Sequence, residues 1–148
     1  MQPQWHLLTQ FSLPSDPGNE RQAMNQVAAA LANEGLPAAR LDRLKTAVAE
    51  ATMNALEHGN HFKTELPVKI EVESSSDAIL VRITDKGGGA NIPEPETPNL
   101  EAKLAGMQSP RGWGLFLIKN LVDEMNVTSD QVHHTVELIL KRKENTNA

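Results

Sequence analysis

The sequence predicts an α+β fold in which helices cover one face of a β-sheet, as a two-layer sandwich. The first reason is that strand-like and helix-like patterns follow each other in the order β-α-α-β-β-loop-α-β-β. The second is that strands adjacent in this order can pair as hairpins, which leaves the helices to cover one face. Composition describes the core of this fold: 39% of the 148 residues are apolar, yet there are only three Phe, two Trp and no Tyr, so the core must be aliphatic.

The first part of the chain predicts one strand and one helix. Residues 5–15 contain β-formers and end at a Pro-Ser-Asp-Pro-Gly cluster that is typical of turns, which predicts a strand at the edge of the sheet. Residues 19–35 carry apolar side chains at helical spacing, and Gly35 suits the end of that helix.

A longer helix is predicted over residues 36–58. Pro37 suits its first turn, and Gly59 and Asn60 suit its end. One apolar stripe runs along it, formed by Leu41, Leu44, Val48, Ala51 and Ala55. At about 100° per residue, a polar row lies on an arc of roughly 100° beside this stripe, at the seam between the buried and exposed faces. A functional site can form there, although a solvated helix flank has the same pattern; the row is Glu50, Asn54, Glu57 and His58.

Two half-buried strands are predicted next, over residues 67–76 and 78–89, joined by the turn Ser74–Asp77. Residues 90–99 are rich in proline and predict a loop. Residues 100–107 predict a short helix within the same excursion.

The last part of the chain predicts a helix and a hairpin. Residues 109–127 begin with Ser, Pro and Gly and then present a helical apolar face of Leu115, Ile118, Leu121, Val122 and Met125. Residues 127–143 predict two strands around a turn, with apolar positions at Val132, Val136, Leu138 and Leu140. The polar tail, 143–148, is expected to fray.

Composition excludes several classes of function. The net charge of −5 argues against direct binding of nucleic acid, which would require clustered Lys and Arg. The absence of cysteine excludes disulfides, thiolate zinc sites and cysteine nucleophiles. The N-terminus does not resemble a signal peptide, and no apolar run approaches the roughly 18 residues of a membrane span. We therefore expect a single cytoplasmic domain over residues 1–148 that does not bind a membrane.

Two glycine-rich stretches could approach a ligand. Residues 85–90, DKGGGA, follow a strand and could bring the backbone close to a ligand or form an ordinary flexible turn. Residues 111–114, RGWG, open an apolar helix, whose N-terminal N–H groups suit phosphate, although a glycine-capped entry to a packed helix looks the same. The chain contains neither a P-loop motif nor G-x-G-x-x-G.

Three polar residues are candidates for chemistry. Asp85 could bond its own backbone in a turn, or accept a hydrogen bond from an exocyclic amine such as that of adenine. Asn54 offers Mg²⁺ a carboxamide oxygen without adding negative charge near a triphosphate. Glu50, one helical turn earlier, could act as a general base or orient a nucleophile.

The histidine pairs are weaker candidates. His58 and His61 have a spacing that could ligate a metal, but Gly59 and Asn60 interrupt the helix between them. His133 and His134 point to opposite faces of a predicted strand. Because no cysteine or carboxylate pattern accompanies either pair, a zinc site is disfavoured. A Ser-His-Asp triad is also disfavoured, since no G-x-S-x-G motif occurs.

The order of these motifs resembles one superfamily. A helix with E-x-x-x-N-x-x-x-H is followed by a strand entering D-x-G-x-G, a proline-rich excursion and G-x-G at the start of a helix. This order resembles the N, G1 and G2 boxes of the GHKL, or Bergerat-fold, ATPases. The short form, over about residues 5–142, is most similar to the anti-sigma-factor serine/threonine kinases. The resemblance implies a mixed, mostly antiparallel sheet with helices on one face.

The resemblance also implies a role for each matching residue in binding ATP and Mg²⁺. Asn54 would coordinate Mg²⁺, and Glu50 would be the catalytic carboxylate. Asp85 would bind the adenine amine, with Gly87 and Gly89 shaping the floor under the base and ribose. Residues of about 90–110 would form a lid. The next helix would contact phosphates through its N-terminal backbone and one cationic side chain: Arg111, Gly112, Trp113 and Gly114. His58 and Lys86 would have supporting roles.

The family transfers phosphate to a Ser or Thr of an anti-sigma-factor antagonist, and the unphosphorylated antagonist frees a sequestered sigma factor. The resemblance therefore implies an antagonist as protein substrate and a sigma factor as partner. Members often dimerise, and the first strand is an edge-strand candidate for a homodimer. A second hypothesis is a nucleotide-binding module that holds a partner without useful turnover, because Ser109 and Pro110 stand where the lid usually ends in two glycines.

Overall fold

The computed structural model describes residues 4–88 and 110–142, and within these ranges five strands form one sheet that packs against helices. The helices are α1 (Asn19–Ala30), α2 (Ala38–Asn54) and α3 (Pro110–Leu121). The helix α2 continues directly into a π-helical turn at Ala55–Gly59. The strands are β1 (His6–Leu13), β2 (Val68–Ser74), β3 (Ala78–Asp85), β4 (Glu124–Ser129) and β5 (His134–Lys141).

The sheet has the order β1-β2-β3-β5-β4, and each neighbouring pair of these described strands is antiparallel. The predicted α+β sandwich is confirmed, as is the edge position of β1. The sheet was expected to be mixed and mostly antiparallel, and every described strand pair is antiparallel. The order brings β5 beside β3, so that the C-terminal end of β3 lies next to the start of β5, although the two strands are far apart in sequence.

The core between the sheet and the helices is aliphatic, as composition predicted. In β2 the side chains of Val68, Ile70 and Val72 are completely buried, while the charged residues between them point away from the core. Burying each such side chain stabilises the fold by about 1.5–3 kcal/mol. The helices supply the facing layer, in which Leu31, Leu44, Val48, Leu115 and Ile118 are buried.

The opposite face of the sheet is charged. Arg82 of β3 lies 2.9 Å from Glu137, 3.6 Å from Glu73 and 3.8 Å from Glu71, on the two neighbouring strands. Partial burial alone would lower the pKa of Arg82, but its hydrogen bond with Glu137 and the three carboxylate charges raise that pKa above its ordinary value. This charged face of the sheet therefore suits contact with solvent rather than packing against a helix.

Two apolar positions differ from the prediction. Met125 was placed on the face of the last helix, but α3 ends at Leu121 and Met125 lies in β4. The chain leaves the helix at Asp123, whose N–H donates to Ile139 O at 3.0 Å and whose carboxylate pairs with the buried Arg40 at 2.6 Å. Val132 was expected to be an apolar strand position, but it is 54% exposed in the β4–β5 turn.

The ends of the first two helices lie closer to their predicted positions than these two apolar residues do. The predicted end of the second helix at Gly59 and Asn60 is confirmed, with Asn60 N–H donating to Ala55 O at 2.9 Å. The first helix ends at Ala30, before Gly35. The predicted short helix (100–107), most of the predicted lid (90–109), Gly89 and the tail (143–148) lie outside the described residues. Within the described ranges, no helix is both long and apolar enough to cross a bilayer.

Candidate functional site

The polar row of α2 lies at the seam between the buried and exposed faces, as its arc predicted. Glu50 is exposed, and Asn54, the last residue of α2, is half-buried. The Nδ2 atom of Asn54 is buried and has no hydrogen-bond partner among the described residues. A buried amide left without a partner costs about 1–3 kcal/mol, so Asn54 is a natural position for contact with a ligand. The π-helical turn that follows is a feature often found at functional sites.

The carboxylate of Asp85, at the end of β3, is held from two directions. Asp85 is almost completely buried, with 1% exposure. Its Oδ1 accepts the Gly87 N–H at 2.7 Å, and its Oδ2 lies 3.2 Å from Nδ1 of the buried His134. Each carboxylate oxygen has a second lone pair, so both can accept a further hydrogen bond. Asp85 is therefore a fixed acceptor in an otherwise apolar environment.

Glycine is required where the π-helical turn meets the loop after β3. A Cβ atom at Gly59 would overlap the Asp85 carboxylate, and a Cβ atom at Gly87 would lie 2.8 Å from Gly59 O. The backbone of the turn therefore packs directly against the Asp85 side chain. The sequence assigned Gly59 only to the end of a helix, whereas its close packing follows from the tertiary arrangement.

His134 is a site residue that sequence reasoning missed. It was set aside as one of two adjacent histidines, yet the register pairs it directly with Asp85 across β3 and β5. A signal was present in the sequence, because His134 alternates in phase with the apolar residues Val136, Leu138 and Leu140 and so belongs to the inward face. Its neighbour His133 is exposed in the turn.

Asn60 was also assigned only to the end of a helix. It is completely buried, and its Nδ2 lies 2.9 Å from Ser15 Oγ and 2.9 Å from Leu66 O. Its Oδ1 accepts the Lys86 N–H at 2.8 Å. The amide therefore links the end of the π-helical turn to the loop that follows Asp85.

A narrow cleft lies between α2, α3, β3 and β5, and it is closed in this conformation, because no water-sized sphere fits inside it. Three polar side chains reach it, namely Asn54, Asp85 and His134. Apolar walls with a few convergent polar groups are typical of small-molecule sites. The apolar lining consists of Ala51, Ala55, Ile83, Leu115, Ile118 and Val136.

The other predicted site residues lie around this cleft or outside the described residues. Glu50 is one turn before Asn54 but is not part of the cleft lining. Lys86 is exposed and contacts Asn60 through its backbone. The backbone of the four residues 111–114 (Arg111, Gly112, Trp113 and Gly114) lies in the first turns of α3. This helix also carries Leu115 and Ile118, which line the cleft.

Comparison with known proteins gives three findings. Residues 13–140 match the family described as the histidine kinase-like ATPase domain. The anti-sigma F factor of Bacillus thuringiensis is 33% identical over 140 residues, which cover 94% of this chain and 93% of that protein. The anti-sigma F factor of Clostridium beijerinckii is 29% identical over 127 residues, which cover 86% of this chain and 87% of that protein.

The comparison with solved structures adds a fourth finding. A structure of the RsbU and RsbW domains of a Mycobacterium tuberculosis protein superposes with a TM-score of 0.66 and 17% identity. The match covers 97% of this chain but only 34% of that one. At this identity the likeness concerns the fold alone.

Proposed function

The chain belongs to the family of histidine kinase-like ATPase domains, and from this premise we propose that it is an ATP-dependent serine/threonine protein kinase that acts as an anti-sigma regulatory factor. The single observation that carries the proposal is the convergence of Asn54 and Asp85 on one cleft, with Glu50 one helical turn away. Together these residues supply a metal ligand, an acceptor for a base and a carboxylate.

The polar and apolar groups of the cleft suit the base of ATP, which would enter only after the cleft widens, because no water-sized sphere fits inside it in this conformation. Asp85 would accept a hydrogen bond from the exocyclic amine of adenine, and the apolar side chains beside it would pack against the ring. Gly87 and Gly89 would shape the floor under the base and ribose. Residues 90–110 would form a lid over the nucleotide. The first turns of α3 would bind phosphate through backbone N–H groups, at the four residues Arg111, Gly112, Trp113 and Gly114.

The residues present fit Mg²⁺ only together with a nucleotide. Asn54 offers Mg²⁺ a carboxamide oxygen, while its buried Nδ2, which has no described partner, is a donor that would suit a phosphate oxygen of the nucleotide. The described residues contain no group of three or more His, Cys, Asp or Glu that could hold a metal ion. Mg²⁺ is commonly bound by one or two protein ligands plus substrate phosphates and water, and when bound it neutralises charge on the phosphates.

Phosphoryl transfer then requires few groups from the protein. Glu50 would accept the proton of a Ser or Thr hydroxyl while the hydroxyl oxygen attacks the γ-phosphorus. A new P–O bond forms to the hydroxyl oxygen, the bond from the γ-phosphorus to the β,γ-bridging oxygen breaks, and ADP leaves. The exposure of Glu50 is compatible with a protein substrate, because its carboxylate is reachable from outside the cleft.

The relatives supply the proposed biological role. Because they are named anti-sigma F factors, we propose that this chain binds a sigma factor and phosphorylates an anti-sigma-factor antagonist in the cytoplasm. A homodimer through the edge strand β1 is part of the same proposal.

The test is phosphoryl transfer to an anti-sigma-factor antagonist, sought among the products of the genes that neighbour the gene for this chain. Purified protein, Mg²⁺-ATP and the antagonist should yield phosphoserine or phosphothreonine, detected by mass spectrometry. Glu50→Gln should reduce the rate at least about 100-fold while leaving ADP affinity unchanged. Glu57→Gln, an exposed carboxylate on the following turn, is the matched control and should retain the wild-type rate. Equal transfer by the Glu50→Gln protein would remove Glu50 from the mechanism.

One observation favours a nucleotide-binding regulatory module without useful turnover. Asn54 and Asp85 reach the cleft, whereas Glu50 does not and makes no hydrogen bond with other described residues. Under this alternative, nucleotide controls capture of the partner, but no phosphate is transferred to it. Co-purification of a sigma factor in ADP or ATP, with no phosphorylated antagonist, would support it over the kinase.

A further inference from the structure

Asn60 joins four segments of the chain through one buried side chain. Its Nδ2 lies within hydrogen-bond distance of Ser15 Oγ, Leu66 O and Pro67 O, at 2.9, 2.9 and 3.3 Å. Its Oδ1 accepts the Lys86 N–H at 2.8 Å. The orientation of the amide is determined by these partners, because the carbonyl oxygens can only accept and the backbone N–H can only donate.

The position of this amide relates the two halves of the proposed nucleotide site. Asn54, which would hold the phosphate end through Mg²⁺, precedes Asn60 by one π-helical turn. Lys86 lies between Asp85, which would hold the base, and Gly87. The bond between Asn60 Oδ1 and Lys86 N therefore connects the segment that carries the metal ligand to the loop that carries the base acceptor.

We propose that Asn60 is a positioning residue for nucleotide binding, which acts by clamping the loop after β3 against the end of α2. This inference rests on the proposed function, because it assumes that Asn54 and Asp85 bind one nucleotide. A ligand that contacts both ends of a site binds well only when the two ends are held at the right separation. Asn60 maintains that separation without touching the nucleotide itself.

The neighbouring contacts explain why asparagine suits this position. Gly59 and Gly87 pack so closely that the loop and the turn meet without intervening side chains. An asparagine next to Gly59 can then reach the Lys86 N–H with its oxygen while its nitrogen faces three acceptors on the other side. Alanine would remove the side-chain amide from the Lys86 N–H and from these acceptors. Aspartate would keep an oxygen that accepts the Lys86 N–H but would have no N–H group to donate to the three acceptors.

The experiment measures ADP affinity in the presence of Mg²⁺ by calorimetry, with thermal unfolding recorded for each variant. Asn60→Ala should weaken ADP binding about tenfold or more, since it frees the loop that carries Asp85. Asn60→Asp keeps an oxygen toward Lys86, so it should be less stable than wild type but recover most of the affinity. Ser15→Ala is the matched control, because it removes a partner from the opposite end of the same amide. It should lower the melting temperature and leave affinity within about twofold.

The outcomes separate the two proposals. If wild-type protein does not bind ADP, the proposed function fails, and this inference fails with it. If wild-type protein binds ADP and Asn60→Ala binds it equally well, only the positioning role of Asn60 is overturned. Hydrogen exchange on the wild-type chain is an independent measurement. The Lys86 amide should be as protected without nucleotide as the amides of β3, and exchange at the rate of an open loop would overturn the clamp.

Discussion

His134 and Gly59 both act on the carboxylate of Asp85, and His134 does so through a hydrogen bond of 3.2 Å between two buried side chains. We predict that His134→Val weakens ADP binding about tenfold, because the carboxylate loses a donor that fixes its orientation. His134→Asn can place an amide near the original Nδ1 position and should retain most of the affinity. Calorimetric titration with ADP compares the two variants. His133→Asn, in the exposed turn, is the control, and equal loss in both His134 variants would contradict a role for the hydrogen bond.

Gly59 packs directly against the same carboxylate, because it has no side chain. We predict that Gly59→Ala destabilises the fold by about 1–3 kcal/mol, because the added methyl overlaps the Asp85 side chain. The atoms that it would overlap are Cγ, Oδ1 and Oδ2 of Asp85. In an Asp85→Ala background those atoms are absent, so the same glycine substitution should cost much less. Urea unfolding of the two single variants and the double variant measures this coupling. Additive effects would show that the glycine is not required by Asp85.

Among the elements, the β4–β5 hairpin supports the loop that carries Gly87. Gly88 N–H donates to Val132 O at 3.1 Å, and Gly88 is packed too closely against the turn to accept a side chain. The turn is held by Asp130, whose Oδ1 accepts the N–H groups of His133 at 2.6 Å and Val132 at 2.8 Å. These two backbone hydrogen bonds, with the charge of nearby His133 as a smaller cause, lower the pKa of Asp130.

The lowered pKa of Asp130 predicts an acid-sensitive turn. Because its folded pKa lies below its ordinary value of 3.8, the Asp130 contribution to stability is present above pH 3.8 and is lost as the pH falls through the folded pKa. We expect the amide resonances of Val132, His133 and Gly88 to shift together in that acidic window in an NMR titration. Asp130→Asn keeps an acceptor that does not titrate, so its spectra should lack this component. An identical acid response in the Asp130→Asn protein would assign the transition to another group.

The sequence predicts most of the helices and strands correctly, but it predicts fewer of the contacts between them. The alternation in β2 and β3 and the stripe of α2 reproduce the buried positions, since they depend on local periodicity. Met125 was misplaced because a helical apolar period continues past Leu121, whereas tertiary contacts of Asp123 end the helix. The alternation of β5 places His134 on the inward face, but its contact with Asp85 depends on β5 pairing with β3. The roles of Asn60 and Gly59 depend on a close backbone approach, which no local pattern contains.

Over the whole molecule, the cleft joins helices and strands that are distant in sequence. Its lining comes from α2, the π-helical turn, β3, α3 and β5. A ligand bound there contacts both layers of the sandwich, so its binding energy should appear as stability of the entire fold rather than of one loop. This gives the proposed nucleotide site a signature that does not depend on catalysis.

We therefore predict that ADP with Mg²⁺, at about 100 times its Kd, raises the free energy of unfolding by about 2.7 kcal/mol and the melting temperature by about 5–10 °C. Mg²⁺ alone should produce no shift, because a protein site with one carboxamide ligand holds the ion only together with phosphates. Asp85→Ala should abolish the response to ADP. Asn54→Ala should respond to ADP but lose the additional shift that Mg²⁺ causes. Thermal unfolding of the three proteins with ADP, with and without Mg²⁺, checks each expectation. If Asn54→Ala kept the full Mg²⁺-dependent shift, the metal would be held elsewhere, and Asn54 would not be its ligand.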